Sequence, residues 1–135
     1  KYVGDVSNIV FRSSWEYAAF RWCDRNASII NWASEEIFVP YFNELDGKMH
    51  RYFVDLVIKI ETNQGIKTYM VEIKPKAQML KPVPPKRNTK KSKENFLVEI
   101  DTYIVNQQKW KAAEEYARQR GWEFKVINED DLGIK

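Results

Sequence analysis

Two β-rich runs, residues 50–60 (HRYFVDLVIKI) and 67–74 (KTYMVEIK), flank Thr62, Asn63, Gln64 and Gly65, and each run carries an acid in an apolar setting. Val, Ile, Phe and Tyr at this density favour pleated strands, and the residues between them have turn chemistry, so the pair reads as an antiparallel hairpin. With Asn63 and Gln64 at the tip, Asp55 lies directly opposite Glu72. Facing residues hold their Cβ atoms about 4.5 to 5.5 Å apart. Two carboxylates that close are poorly compatible with a buried sheet unless they are paired or bound to a cation. Strand alternation puts Lys74 on the face of Glu72 and turns Val71 and Ile73 to the other side. An ion between Asp55 and Glu72 is the resulting expectation.

The remaining elements follow from periodicity. Residues 12–24 predict a helix, with Trp15, Ala18, Ala19 and Trp22 at helical spacing and Ser13 with Glu16 in a capping-box pattern. Residues 37–41 (IFVPY) predict a strand that its proline places at an edge. The longest helical pattern covers 94–120, with Leu97, Ile100, Ile104, Trp110, Ala113 and Ala117 on its apolar side and Gly121 as its stop; residues 122–127 read as a closing strand. No repeat or interdomain linker is visible. The order is helix, strand, hairpin, loop, long helix, strand, which predicts an α/β fold with a mixed central β-sheet flanked by helices, in a single domain spanning 1–135.

Charge is unevenly placed. The chain has 22 basic and 19 acidic residues, yet residues 75–93 contain Lys76, Lys81, Lys86, Arg87, Lys90, Lys91 and Lys93 with no acid, leaving 15 basic and 19 acidic residues elsewhere. Four of the five prolines lie in the same segment, which reads as an extended basic loop rather than a helix or inner strand. No stretch approaches the roughly 18 apolar residues of a membrane span, and no signal peptide is evident. The lone Cys23 excludes an internal disulfide, fits a reducing compartment and, beside Trp22, reads as core.

A phosphodiester resists attack because its charge repels nucleophiles and its alkoxide leaves poorly, and a divalent cation answers both problems. Mg²⁺ or Mn²⁺ prefers hard oxygen ligands, so Asp55, Glu72 and the main-chain carbonyl near Ile73 would form a suitable half-shell. Lys74 would orient the water, act as a base or stabilise transition-state charge. Glu16 is the natural third acid if the first helix packs against the hairpin; the alternative is that it only completes the cap with Ser13. The single histidine, His50, reads as structural or exposed, with ligand duty as the lesser reading.

At these residues the chain resembles the PD-(D/E)xK nuclease superfamily: an acid on the first helix (Glu16), an acid on a core strand (Asp55), then Glu72-Ile73-Lys74. Val54 stands where the superfamily name has proline. A closer resemblance, through VFRSSWEYAAFRWCD, HRYFVDL, VEIKPK, the Lys/Pro-rich loop, TYIVNQQKWKAA and RGWEF, is to the head-completion nucleases of T4-like bacteriophages, covering about residues 2–127. TnsA-type transposase endonucleases are a more distant likeness. The resemblance implies a restriction-endonuclease-like fold and a Mg²⁺-dependent DNA endonuclease with Glu16, Asp55, Glu72 and Lys74 at its active site. It makes Glu16 a metal ligand. It also implies work in phage head completion, on double-stranded or branched DNA, in the host cytoplasm or the virion head, with phage head or portal proteins as candidate partners. A single active site must act twice to cut both strands, so a homodimer is a further candidate, and no membrane partner is expected.

Residues 76–93 would hold phosphates near the metal; the bland alternative is a solvated loop. On the long helix, Asn106, Gln107, Gln108, Lys109 and Lys111 form a polar stripe, of which Gln107 and Lys111 are the candidate DNA contacts. A non-catalytic DNA-binding or head-assembly module on the same fold is the competing reading. If about four of the seven loop cations touch phosphate, the logarithm of DNA affinity falls against log salt with a slope of about −3 to −4. Fluorescence anisotropy across a salt series measures that slope, and a slope near zero removes the loop as a DNA clamp.

Overall fold

The computed structural model describes residues 1–4 and 14–132. In chain order the elements are α1 (Ser14–Arg25), β1 (Ile29–Ser34), β2 (Phe38–Asn43), β3 (Lys48–Phe53), β4 (Leu56–Thr62), β5 (Gly65–Ile73), a 3₁₀ turn (Lys76–Met79), α2 (Lys90–Gln119) and β6 (Glu123–Ile127). Four strands form a mixed sheet in the order β1-β4-β5-β6, and β2 and β3 form a separate antiparallel ribbon. Strand β6 runs parallel to β5, so α2 is the crossover between them. The expected α/β class with a mixed sheet and flanking helices is therefore the class observed.

Each sheet face carries one helix. Ala19, Phe20 and Cys23 of α1 pack on Leu56, Ile58, Val71 and Ile73. Trp110, Ala113 and Ala117 of α2 pack with Val39, Tyr41, Tyr52, Val54 and Met70, covering the ribbon and the other sheet face together. Burial pushes the Cys23 thiol up to about 12, as befits a core residue. No helix among the described residues is long and apolar enough to cross a membrane.

The hairpin register is the one expected: Thr62 pairs with Gly65 and Leu56 with Val71, so Asp55 and Glu72 are the next pair beyond the ladder. The run 50–60 is, however, two strands and not one. Tyr52 and Val54 bury on the α2 side, whereas Leu56 and Ile58 bury on the α1 side. A continuous strand would put all four on one face, so the chain bends at Val54 and Asp55. Hydrogen bonds fix the bend: Val54 N donates to Ile37 O at 3.1 Å and Glu35 N to Asp55 O at 3.3 Å.

Three further expectations change. Strand β1 was absent from the predicted order because a bulge between Ile29 and Asn31 breaks its alternation. Helix α2 begins at Lys90 rather than 94, because Thr89 Oγ1 accepts from Ser92 N at 3.1 Å and caps it. Lys90, Lys91 and Lys93 thus belong to a helix, and Lys76 to a 3₁₀ turn, so the basic segment is not one continuous loop. The helix does end before Gly121, whose φ of 74° suits the reversal into β6. Its expected apolar side is uneven, since Leu97 is 60% exposed while Ala113 and Ala117 are fully buried. Ser13, the expected cap of α1, lies outside the described residues.

Ala113 has no room to grow. Ala113→Leu is expected to destabilise the fold by about 1–3 kcal/mol through overpacking, while Ile66→Ala at an exposed strand position changes stability by less than about 0.5 kcal/mol. Urea denaturation monitored by tryptophan fluorescence measures both.

Candidate active site

The bend at Asp55 and the end of β5 bring three side chains to one edge of the sheet. Glu72 lies between Val71 and Ile73, both turned to α1, so it projects to the α2 side, where it is only 8% exposed. Tyr52 Oη donates a hydrogen bond to Glu72 Oε2. Lys74 Nζ stands 3.7 Å from Glu72 Oε1, and its backbone N donates to Ile127 O at 2.9 Å, so β6 steadies the end of the motif. Asp55 Oδ2 accepts from Ile73 N at 2.8 Å.

Burial, then the facing Glu72 carboxylate, push the Asp55 carboxyl from its ordinary 3.8 up to about 8, against the pull of the Ile73 N–H. The same burial, followed by Glu72, moves the Tyr52 phenol far above its usual range, which keeps it a hydrogen-bond donor. Two acids thus share an edge with one lysine, and burial beside the Glu72 charge favours the protonated form of Asp55 near neutrality.

The other expected residues lie at several places. Helix α1 packs on the sheet face opposite Glu72 through Ala19, Phe20 and Cys23. Glu16 sits half-buried in the first turn of α1, and its charge makes a smaller contribution to the shift at Asp55. Among the described residues no three His, Cys, Asp or Glu side chains are close enough to hold one metal ion together. Lys76 is engaged elsewhere, with Nζ 3.0 Å from Asp130 Oδ2. Lys81, Lys86, Arg87, Lys90, Lys91 and Lys93 are exposed. Gln107 and Lys111 are exposed too, turned away from the stripe of Asn106, Trp110 and Ala113 that α2 buries. His50 Nε2 lies 2.6 Å from Asp46 Oδ2 and closes the turn of the ribbon.

Two residues near the pair escaped the reading of the sequence. Treating 50–60 as a single strand put Tyr52 on the face away from Asp55, and only the bend returns its hydroxyl to Glu72. Lys109 reaches from α2 over the rings of Tyr52 (5.7 Å) and Tyr41 (5.9 Å). Its helical position one turn after Asn106 was the available signal, once Asn106 is known to be buried.

Residues 26–129 match the family model of the TnsA-like endonuclease N-terminal domain. The chain belongs to the TnsA-like endonuclease family. It is also 43% identical over 132 residues to the head completion nuclease of Enterobacteria phage T4, covering 98% of this chain and 86% of that protein. The likeness to head-completion nucleases of T4-like phages, first read from short segments, thus extends over nearly the whole chain. No solved structure matches it. The stretch matched by the TnsA-like family model contains Asp55, Glu72 and Lys74 and begins after α1, so Glu16 falls outside it.

The folded value of Asp55 lies above its unfolded one, so the folded state binds more protons between about 4 and about 8 and stability falls as pH rises through that window. In chelator, wild type is expected to lose stability from pH 5 to pH 8, by a few kcal/mol at most. Asp55→Asn is expected to flatten that dependence and to exceed wild type at pH 8. Urea midpoints across the pH series test this, and equal slopes for the two proteins would contradict the buried pair.

Proposed function

We propose that residues 1–135 form one nuclease domain, a divalent-cation-dependent DNA endonuclease. The observation that carries this reading is the facing pair of half-buried Asp55 and buried Glu72 with Lys74 at the same edge, in a relative of a protein named a nuclease. The donor set fits a hard cation: two facing carboxylates, with the carbonyl of Ile73 directly after Glu72 in sequence, and an Asp55 whose carboxyl is pushed up by burial and then by the Glu72 charge, a cost that a bound cation would offset. Asp55, Glu72 and the Ile73 carbonyl would hold Mg²⁺ or Mn²⁺, with Glu16 of α1, whose charge is felt at Asp55, as an outlying acid that would join them only by moving closer. The bound ion supplies Lewis acidity toward water and phosphate.

The chain's own residues do the rest. Tyr52 fixes one oxygen of Glu72 and leaves the other toward Lys74. Lys74 orients the attacking water and offsets charge that develops on the phosphate. Lys81, Lys86, Arg87, Lys90, Lys91 and Lys93 attract the DNA backbone without regard to sequence, with Lys76, Gln107 and Lys111 as outlying contacts. By its relative's name, the biological setting is the completion of phage heads, with DNA trimmed or resolved in the host cytoplasm or at the head, beside head or portal proteins. One site cuts one strand at a time, so a double-strand cut needs a homodimer or a second visit.

Linear, nicked and branched DNA incubated with Mg²⁺ or Mn²⁺ tests the reading. Wild type is expected to cut, and Asp55→Asn, Glu72→Gln and Lys74→Ala each to lose roughly 10²-fold or more in rate. Mg²⁺ is expected to raise the melting temperature of wild type at pH 8 and not that of Asp55→Asn. Cleavage surviving both acid substitutions would remove the proposed site. Tight binding with no cleavage would leave a DNA-binding or head-assembly module.

A further inference from the structure

Helix α2 is thirty residues long, but its buried positions are Asn106, Trp110, Ala113 and Ala117, all in its second half. Along the first half runs a groove of about 590 Å³, walled by Leu80, Pro82 and Val83 on one side and Val98 and Tyr103 on the other. A second recess of about 310 Å³ shares Val83 and Glu99 with it and continues to Ser92. From Ser92 to Asn106 the helix rises about 21 Å. The walls are unusually apolar for open surface: Leu80 is 69%, Val83 77% and Val98 64% exposed.

The inner end of the groove is one helical turn from a residue that approaches the candidate active site. Asn106 lines it and lies one turn before Lys109, which stands over Tyr52, the residue that bonds Glu72. The outer wall begins at Ala77, three residues beyond Lys74. Lys81 is part of that wall, and Lys86, Arg87, Lys90 and Lys91 are exposed along the same segment and helix start. Glu99 is the one acid among the lining residues.

Apolar walls under a cationic rim match the chemistry of a single nucleic-acid strand, whose bases offer flat faces while its phosphates meet lysines. A duplex keeps its base faces stacked inside and presents only phosphates and groove edges. We propose that this groove takes one unpaired DNA strand and leads it to Glu72 and Lys74, so that the preferred substrate has an unpaired strand beside the cut. The proposal rests on the nuclease reading for the purpose of the groove, and its binding test is independent of cleavage.

Wild type in chelator, where cutting does not occur, is titrated against a labelled thymidine oligonucleotide of about 12 nucleotides and a hairpin duplex of equal charge. The oligonucleotide is expected to bind at least about tenfold more tightly at one salt concentration. Val98→Asn, a neutral change at an exposed position, and Tyr103→Ala are expected to weaken strand binding by roughly 5- to 100-fold while leaving duplex binding within about twofold. Equal affinity for strand and duplex, or unchanged strand binding in both variants, overturns the proposal. Strand binding that depends on Val98, in a protein that cuts no DNA with Mg²⁺ or Mn²⁺, supports the groove and removes the nuclease reading. Cleavage by a protein that binds strand and duplex alike does the reverse.

Discussion

The change of face at Val54 and Asp55 is the constraint on which the site depends. Tyr52 and Val54 must bury beneath α2, and Leu56 and Ile58 beneath α1. The chain satisfies both clusters only by leaving the sheet direction between them, which separates the β2–β3 ribbon from the four-stranded sheet. The bend frees the Asp55 side chain from a ladder position to accept the Ile73 N–H. It also turns Tyr52 toward Glu72. Proline at position 54 would impose such a bend covalently; here Val54 holds it through full burial and its bond to Ile37 O.

The electrostatics follow from that geometry. A buried Glu72 faces a half-buried Asp55 with a single lysine 3.7 Å from Glu72, and the structure answers with a raised Asp55 and a neutral tyrosine donor. An apolar pair in the same place would serve stability better, because a buried charge without full compensation costs more than it returns. The fold tolerates the pair because two core clusters and β6 hold the surrounding backbone. Functional sites are where such local penalties accumulate.

Those same considerations decide what could be read from the sequence. The register of Asp55 against Glu72 was legible because a two-residue tip between β-rich runs leaves one pairing that matches both. Class and helix order were legible from periodicity, and the end of α2 from Gly121. The bend was not, because Tyr52 to Ile58 alternate without interruption and only the clusters on either side show that the buried face changes. Strand β1 was hidden by its bulge, and the start of α2 by lysines that suggested a loop while Thr89 supplied the cap. The position of Glu16 could not be read, because helical spacing gives the buried stripe of α1 but not the sheet face against which it packs.

Helix α2 joins the two levels of the structure. Its second half is core, with small residues at 113 and 117 that let it lie close to the ribbon and β6. Its first half carries the largely exposed Leu97 and Val98, beside a segment rich in exposed cations. Folding alone gives no reason to extend a helix so far into solvent with Leu97 and Val98 on its surface. Had stability been the only requirement, the helix could have begun near Asn106, and the prolines at 82, 84 and 85 would have had nothing to lie against. The extension instead forms one wall of a groove whose innermost lining residue on the helix, Asn106, lies one turn before Lys109, which stands over the ring of Tyr52, the residue that bonds Glu72.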